Sequence, residues 1–238
     1  MADPGPATNT LTPTPTPTPS PALFADEYPF DLDGGRLCLD FANSLGLSSS
    51  DHLRSLVDLI GFCRQSGILA DDTAHHLRTR AARAPAAADA LLARAKLLRA
   101  ALFRIFAAVV RRESPSPTDL DLLNAELAEA LANQQLVVDG GRFAWEWRGG
   151  LTEPRHLLWP VVRSAADLLL SEDRLGIREC AASDCAWLFL DTSRNRSRQW
   201  CSMRTCGNRA KARRHHERRR RADSPSRTAS ATNTGSAS

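Results

Sequence analysis

Residues 180–221 read CAASDCAWLFLDTSRNRSRQWCSMRTCGNRAKARRHHERRRR and contain four of the chain's six cysteines. These cysteines form two pairs, each enclosing four residues, and fifteen residues separate the pairs. Two thiol pairs at such spacings are typical of a structural zinc site, in which four sulfurs surround the ion as a tetrahedron. We therefore predict that Cys180, Cys185, Cys201 and Cys206 bind one Zn²⁺.

Two other uses of these cysteines remain open from the spacing alone. Four cysteines can hold an iron–sulfur cluster, and two pairs can form disulfides. Thiols stay reduced in the cytosol, where clustered cysteines favour a metal over disulfides. The segment also has few apolar residues with which to build a core, so metal binding has to supply much of its folding energy. Structural zinc contributes roughly 10–16 kcal/mol of apparent binding energy to such folds.

Between the cysteine pairs, the run AWLFL has strand character and predicts one half of a short hairpin. We expect Arg198 to Cys201 to be the returning half. The basic run from Thr205 onward predicts a helix with Cys206 in its first turn. Exposed backbone N–H groups at that position can stabilise a thiolate.

The charge of the chain is unevenly distributed. Residues 176–221 contain thirteen Lys or Arg and four Asp or Glu, whereas the rest of the chain contains eighteen against twenty-three. A cationic segment on a mildly acidic body indicates a polyanionic partner for that segment alone. We predict that the partner is DNA, with arginines on phosphates and one or two side chains reaching base edges.

The candidate nucleic-acid contacts lie in two groups, one between the cysteine pairs and one on the basic helix. They are Arg194, Arg196, Arg198, Asn208, Arg209, Lys211, Arg213 and Arg214. Asn208 and Arg209 are the candidates for base reading, although Asn208 could equally brace the metal loop. The same arginine-rich helix would also serve an RNA- or ribosome-associated zinc protein, a zinc-stabilised protein-interaction adaptor, or a solvated basic tail.

The rest of the chain predicts a mainly α fold. Leucines and other apolar residues at helical spacing indicate helices before residue 133, the longest being residues 86–113. Two β-prone runs flank Asp139-Gly140-Gly141 and predict a hairpin. Phe143, Trp145 and Trp147 alternate along its second strand, and we expect this aromatic face to pack on the helices. The domains are a Pro/Thr-rich arm (1–22), a helical domain (23–172), a zinc finger (176–221) and a tail (222–238).

Several residues of the helical domain are candidates for specific roles. Asp40 and Asn43 are conspicuous polar residues on a short amphipathic helix, where capping or surface solvation is favoured over ligand binding. Ser50 is a candidate N-cap for the next helix. Cys38 and Cys63 lie on apolar faces and are predicted to be core residues.

The sequence does not favour an enzyme. It contains no nucleophile elbow, phosphate loop or paired-histidine metal motif. Four thiolates also leave no coordination position for water. No apolar run reaches the roughly 18 residues of a membrane span, and no signal peptide is recognised. We therefore expect a cytoplasmic protein, associated with the nucleoid if it binds DNA.

The run WLFLDTSRNRSRQWCSM followed by CGNRAK closely resembles the CGNR zinc-finger family, named for the motif at residues 206–209. Looser similarity extends to LCLDFANSLG (37–46) and HLLWPVVRSAADLLL (156–170). Members are bacterial proteins described as transcriptional regulators, with a helical N-terminal domain called ABATE that is associated with stress-induced regulation. The resemblance implies the same architecture and function here. Because a single finger rarely gives high affinity for DNA, a homodimer is also expected.

Overall fold

A computed structural model describes residues 24–25, 27–45 and 51–222. In that part of the chain the helical domain contains six α-helices: α1 (Leu37–Ala42), α2 (Leu56–Gln65), α3 (Asp71–Arg83), α4 (Pro85–Arg111), α5 (Pro117–Ala132) and α6 (Trp159–Leu170). A hairpin of β1 (Gln134–Asp139) and β2 (Arg142–Trp147) is inserted between α5 and α6. The predicted mainly α class with one hairpin in this domain is confirmed.

The 27-residue helix α4 is the centre of the helical domain, as its sequence predicts. Helices α1, α2, α3 and α5 all contact it, and Leu98, Leu102, Ile105 and Phe106 on it are fully buried. These positions recur three or four residues apart, so they form one face of the helix. Cys38 and Cys63 are buried in the same core, as predicted.

Local signals set the helix ends. Ser55 caps α2 through a capping box with Asp58, so this helix begins five residues later than the candidate Ser50 would place it, and Ser50 itself lies outside the described residues. Pro85 occupies the first turn of α4, where its missing N–H costs nothing. Pro160 likewise lies in the first turn of α6, after a 3₁₀ turn at Pro154–Leu158.

The hairpin forms as predicted, but its aromatic face does not pack on the helices. Gly140 and Gly141 have φ of 53° and 80°, which suits the tight turn that joins the strands. Trp147, at the base, packs against Trp159. Toward the tip, Phe143 is 78% exposed and Trp145 is 60% exposed. The prediction of a buried aromatic face is therefore wrong beyond Trp147, because the side chain that lies over Trp145 is the charged Arg163, 5.5 Å from the ring centre.

The C-terminal segment contains β3 (Ile177–Glu179), β4 (Leu188–Leu190), a π-helical turn (Met203–Gly207) and α7 (Asn208–Ala222). The predicted hairpin exists, but its partner strand was wrong. Strand β4 pairs antiparallel with β3, which precedes the first cysteine pair, and not with residues 198–201. The predicted basic helix is confirmed, with Cys206 in the π turn directly before it.

The finger is docked on the helical domain and shares its core. Ile177, Leu188 and Leu190 belong to the same buried cluster as the residues of α4 and α6. A single 3₁₀ turn at Glu172–Gly176 connects α6 to β3. The two parts are therefore joined by a short ordered turn.

Two predictions fall on parts of the chain that are not described. The arm at 1–22 and the tail from 223 onward lie outside the described residues. No helix in the described ranges combines the length and apolar character needed to cross a bilayer.

Candidate metal centre and basic helix

Four thiols meet at one point of the finger. The Sγ atoms of Cys180, Cys185, Cys201 and Cys206 all lie within 4.8 Å of one another, and all four residues are buried. The first pair comes from the loop between β3 and β4, and the second from the segment that leads into α7. A long loop and the start of a helix thus bring four cysteines into one cluster. Apolar packing alone does not require this arrangement.

The spacing of the sulfurs fits a single tetrahedral ion. Cys185 Sγ lies 3.7 Å from Cys201 Sγ, and Cys201 Sγ lies 3.6 Å from Cys206 Sγ. Four ligands at the usual zinc–sulfur distance of about 2.3 Å would lie about 3.8 Å apart. A disulfide would bring two sulfurs to about 2.05 Å, and all four cysteines are free. The space enclosed suits one ion and not a multi-iron cluster.

The thiols cannot all ionise without a cation. Hydrogen bonding from the Cys201 thiol lowers the pKa of Cys185 to about 6, against the opposing effect of burial. The pKa of Cys201 is raised in turn, first by its hydrogen bond with Cys185 and then by burial. Ionisation of one thiol thus disfavours ionisation of its neighbours. A divalent ion overcomes this repulsion because it stabilises all four thiolates together.

Two N–H groups support the negative charge of the sulfurs. The Cys201 backbone N–H donates to Cys180 Sγ at 3.4 Å, and an Arg209 Nη2–H donates to Cys206 Sγ at 3.2 Å. The hydrogen bond to Cys206 raises the pKa of Arg209. Arg209 also forms an ion pair with Asp184 at 3.1 Å. This arginine therefore orients ligands from outside the coordination shell, as such neighbours do in metal sites.

Backbone hydrogen bonds shape the two loops that carry the sulfurs. Cys180 N–H donates to Trp187 O at 2.9 Å, which closes the first loop, and Ala181 N–H donates to Gln199 O at 2.8 Å, which joins it to the second. Gly207 packs closely against the Met203 side chain, since a Cβ at this position would lie 2.8 Å from Met203 Sδ.

Asn43 fastens the finger to the helical domain. Its Nδ2–H donates to Leu188 O at 2.7 Å, and its Oδ1 accepts from Leu188 N–H at 2.9 Å. Asn43 is 2% exposed, so the surface role that its sequence favoured is wrong. The amide satisfies both backbone groups of a buried strand residue, as a neighbouring β-strand would.

Asp40, one turn earlier, is also engaged within the fold. Its Oδ1 accepts from Gly34 N–H at 2.7 Å, and Gly34 O accepts from Leu190 N–H at 2.8 Å. A Cβ at Gly34 would lie 2.8 Å from Asp40 Oδ1, so the contact needs glycine there. Burial raises the pKa of Asp40 to about 7. Asp40 and Gly34 thus add a second link between the helical domain and β4.

Arg198, a predicted nucleic-acid contact, is turned inward. Its guanidinium donates to the backbone carbonyls of Asp33, Trp200 and Cys201, and it lies 4.6 Å from the centre of the Phe189 ring. These contacts use the Nε–H and the two Nη2–H groups, three of the five donors of the guanidinium. Arg198 therefore connects the metal loop to the helical domain.

The other two loop arginines, Arg194 and Arg196, are exposed. Buried Asp191 shapes their loop, because its carboxylate accepts from the N–H groups of Ser193 and Arg198, both at 2.9 Å. Arg196 has a positive φ of 47°, which is uncommon for a residue other than glycine. The loop thus presents two guanidinium groups outside the core.

Helix α7 projects from the metal centre. Every residue from 211 to 220 is exposed, and Ala210 is its buried contact. Asn208 begins the helix, and its side chain donates to Arg204 O at 3.1 Å. The helix has no apolar face to bury, in agreement with its sequence.

The two sides of α7 differ in their contacts. Arg209 and Arg213, four residues apart, face the first metal loop, where Arg213 donates to Ser183 Oγ at 3.1 Å. Lys211, Arg214 and Arg218 follow one another at intervals of three and four, so they share a second side. At 100° per residue these three residues lie roughly 160°, 100° and 140° from Arg213, so the centre of this side is about 130° away from it. Arg214 lies 5.9 Å from the Trp200 ring centre.

Sequence reasoning missed the residues that hold the finger to its support. Asn43 and Leu188 are 145 residues apart, and no spacing rule connects them. The one available signal was that Asn43 lies within the stretch 37–46 that carries the looser family similarity. The partners of Arg198 and Arg209 were also missed, because hydrogen bonds to backbone carbonyls and sulfurs cannot be predicted from the number of charged residues.

Two families match the sequence over most of the described chain. The ABATE family, described as "Putative stress-induced transcription regulator", matches residues 35–172. The CGNR zinc finger matches residues 176–219 and includes all four clustered cysteines. Among curated proteins, none matches this sequence. With the sulfur geometry, these matches establish that the four cysteines form a site for one structural zinc ion.

Proposed function

Because the chain belongs to the ABATE family and ends in a CGNR zinc finger, we propose that it is a transcription regulator whose zinc finger binds duplex DNA. The observation that carries this proposal is α7, a basic helix held at the metal centre and exposed from residue 211 to residue 220. Structural zinc fixes where α7 starts. The lysine and arginine side chains of α7 then contact the phosphates of the DNA. The helical domain supplies the support on which the finger is docked.

The proposed contact surface is the side of α7 that carries Lys211, Arg214 and Arg218. Within the described residues, Lys211 and Arg218 have no ion pair and no side-chain hydrogen bond, so their charges are available to phosphates. Asn208, at the start of the helix, remains the candidate for base reading. Lysine and arginine on phosphates supply affinity, whereas base contacts have to supply sequence choice.

The remaining candidates differ in their availability. Arg194 and Arg196 are exposed and stay in the proposal as phosphate contacts. Arg209 and Arg213 are held by Asp184 and Ser183, so we assign them first to positioning the helix on the metal loop. Three of the five N–H donors of Arg198 are used by backbone carbonyls, so we assign this residue first to joining the metal loop to the helical domain.

The double variant Lys211→Ala/Arg218→Ala tests this surface. We expect weaker binding to a fluorescent DNA duplex, with the slope of log K against log salt reduced by about two because each phosphate contact contributes about 0.9. Zinc content should stay the same, since neither residue touches a sulfur. The matched control is Arg83→Ala/Arg148→Ala, which removes two exposed charges from the helical domain. Equal binding by the two double variants would contradict the proposed surface.

Competition distinguishes DNA from the other partners. A structured RNA hairpin of equal charge should displace the duplex only weakly if the proposal holds. Displacement at lower RNA concentration would favour an RNA- or ribosome-associated role. Failure to bind either nucleic acid would favour a protein-interaction adaptor.

We also propose that the protein is a homodimer, with the exposed face of the β1–β2 hairpin as its interface. Leu136, Val138, Phe143 and Trp145 lie on one face, in the register pairs Leu136–Trp145 and Val138–Phe143. Each is at least 58% exposed, and together they leave roughly 500 Å² of apolar surface open, within the range of the largest patches on monomers.

A second copy fits this face better than a strongly charged partner does. Two such patches related by a two-fold axis would bury roughly 1,000 Å², the lower limit for a specific interface. At the hairpin tip, Asp139 lies opposite Arg142, so the rim carries both signs of charge and is self-complementary. A dimer would also bring two fingers to one DNA site.

Binding to chromosomal DNA would place the protein in the cytoplasm, at the nucleoid. The matched families are a transcription regulator and a zinc finger, neither of which is an enzyme family. We expect no zinc-dependent hydrolysis, because four thiolates leave the ion without a position for water.

A further inference from the structure

A concave pocket, separate from the metal centre, lies between the helical domain and the finger. It is a pocket of about 530 Å³ whose lining contains no zinc ligand and no residue of α7. Part of its wall is apolar and comes from α4 and from the segment around β3. The rest consists of four arginines: Arg112, Arg174, Arg178 and Arg196.

The four arginines come from three separate parts of the chain. Arg112 follows the last residue of α4, Arg174 and Arg178 flank the start of β3, and Arg196 belongs to the loop between the cysteine pairs. No Asp or Glu lines the pocket. Within the described residues, none of the four forms an ion pair. Four like charges gathered without a counter-charge repel one another, and an anion bound among them would remove that repulsion.

The buried carboxylate of Asp191 lies outside the pocket lining, and its electrostatic attraction to Arg178 offsets only part of the charge of the four arginines. Asp191 is 3% exposed, and its oxygens accept from the backbone N–H groups of Ser193 and Arg198. Those hydrogen bonds hold the loop, in which Arg196 N–H donates to Ser193 O at 3.0 Å. Arg174 and Arg178 are fixed in a similar way, by donating to carbonyls at Ser171, Leu175 and Ile177. The cluster is therefore presented by ordered backbone.

Backbone conformation singles out two of the same arginines. Among the described residues, Arg112 (φ 59°) and Arg196 (φ 47°) are the two residues other than glycine with a positive φ, and both line this pocket. Glycine adopts such conformations without strain, whereas a residue with a Cβ does not. Arg112 is the C-cap residue of α4, and a left-handed residue, usually glycine, is a common way to end a helix. Arginine at both positions therefore has a cost in stability.

The chemistry of the walls defines the class of ligand. Guanidinium groups bind phosphate through paired N–H donors, while Val109, Val110 and Leu175 offer an apolar surface beside them. The volume lies in the range of small-molecule sites, roughly 300–1,000 Å³. A duplex backbone would leave the apolar wall unused. We propose that this pocket binds a small phosphate ester that carries an apolar or aromatic group, such as a nucleotide.

The position of the pocket gives such a ligand a way to act on the finger. It would connect the end of α4 to the loop that joins the cysteine pairs, and so change how firmly the finger is held. The binding site does not depend on DNA recognition, and only this regulatory consequence depends on the proposed function. Binding and regulation are therefore measured separately.

Calorimetry on the full zinc-loaded chain tests the site, with ATP and AMP as probes and adenosine and inorganic phosphate as their separate parts. We expect saturable binding of a nucleotide at one site per chain, and weaker binding of either part alone. The decisive variants are Arg112→Gly and Arg196→Gly. Each should weaken nucleotide binding by about tenfold or more. Each should also keep its zinc and an equal or higher melting temperature, since glycine suits these backbone angles.

The control is Arg83→Ala, which removes an exposed arginine far from the pocket lining and should bind as the native chain does. The proposal is overturned if neither nucleotide binds at millimolar concentration, or if both glycine variants bind as well as the control. Equal affinity for phosphate and ATP would refute the role of the apolar wall. If no nucleotide binds to the native chain and Arg112→Gly loses its affinity for DNA, the pocket belongs to the DNA-binding surface instead.

Discussion

Asn43 is the single side chain on which the docking of the finger depends most. Its amide satisfies both the N–H and the C=O of Leu188, a fully buried residue of β4. We predict that Asn43→Ala lowers the free energy of unfolding by about 2–4 kcal/mol, because two buried backbone groups lose their partners. Urea denaturation of the zinc-loaded protein measures this change.

Asn195→Ala is the matched control for Asn43→Ala. Asn195 is exposed in the loop between the cysteine pairs, so its removal should change the free energy of unfolding by no more than about 0.5 kcal/mol. Equal effects from the two substitutions would contradict the role assigned to Asn43.

Asp40 should make stability depend on pH near neutrality. Burial raises its folded pKa to about 7 from an ordinary value of 3.8, so the folded state binds more protons than the unfolded state between these values. Stability therefore falls as pH rises through this window, and the loss from pH 6 to pH 8 should be about 1 kcal/mol. Urea midpoints at the two pH values measure it. Asp40→Asn should remove this dependence, and an unchanged slope in the variant would refute the assignment.

Individual residues show why the sequence located the zinc site but could not tell which arginines are held within the fold. Ligand spacing is a local property, so Cys180, Cys185, Cys201 and Cys206 could be assigned from the sequence. Whether an arginine meets a phosphate or a backbone carbonyl depends on what lies beside it after folding. Arg198 has the same charge and exposed neighbours in sequence as Arg196, but it is turned onto the Phe189 ring.

At the scale of elements, the finger consists of a part held by zinc and a part held by the helical domain. Strand β4 is fixed through Leu188 to Asn43 and through Leu190 to Gly34. The cysteine loops, by contrast, close through hydrogen bonds of Ala181 and Gly207 around the metal site. Removing zinc should therefore unfold the loops and leave the strand in place.

Hydrogen exchange measured before and after chelation tests this division. We predict that the amides of Ala181 and Gly207 lose protection when zinc is removed, because their loops have little apolar support. The amides of Leu188 and Leu190 should stay protected, since their acceptors belong to the helical domain. Uniform loss of protection over the whole chain would mean that zinc supports the complete fold.

The elements also show the limits of pattern reading. Helix α4 was predicted at residues 86–113 and lies at Pro85–Arg111, because proline and leucine spacing act locally. The partner of β4 was wrong because pairing depends on which strand the core brings alongside, and three-residue strands contain no register signal. The aromatic run of β2 indicated a strand, but alternation alone does not say whether an apolar face is covered.

At the scale of the whole molecule, the exposed hairpin face predicts a dimer. Sedimentation should give a mass near twice the 26.0 kDa of one chain, and Phe143→Asp/Trp145→Asp should give a monomer that keeps its zinc. The reason is that charges on the face would have to be buried in the interface. Leu97→Asp/Leu170→Asp, at two other exposed leucines, is the control and should stay dimeric. A monomeric native protein at high concentration would contradict this interface.

The molecule as a whole combines an asymmetric charge with a shared core. The charge split and the separate cysteine cluster could be read from the sequence, and they led to the prediction of a cationic finger on an acidic body. The way in which the two parts are joined could not be read from the sequence. Asn43, Gly34 and Arg198 form hydrogen bonds with residues more than a hundred positions away. Docking matters for function because it fixes the direction in which α7 projects.

If zinc shapes the finger so that α7 meets DNA, the affinity for DNA has to depend on zinc. Duplex affinity should be measured by fluorescence anisotropy for the zinc-loaded protein, after removal of zinc with a chelator, and after zinc is restored. We predict that affinity falls about tenfold or more without zinc and returns with it, while the steep dependence on salt persists. Equal affinity with and without zinc would contradict the claim, because the basic segment would then bind DNA as an unstructured cation.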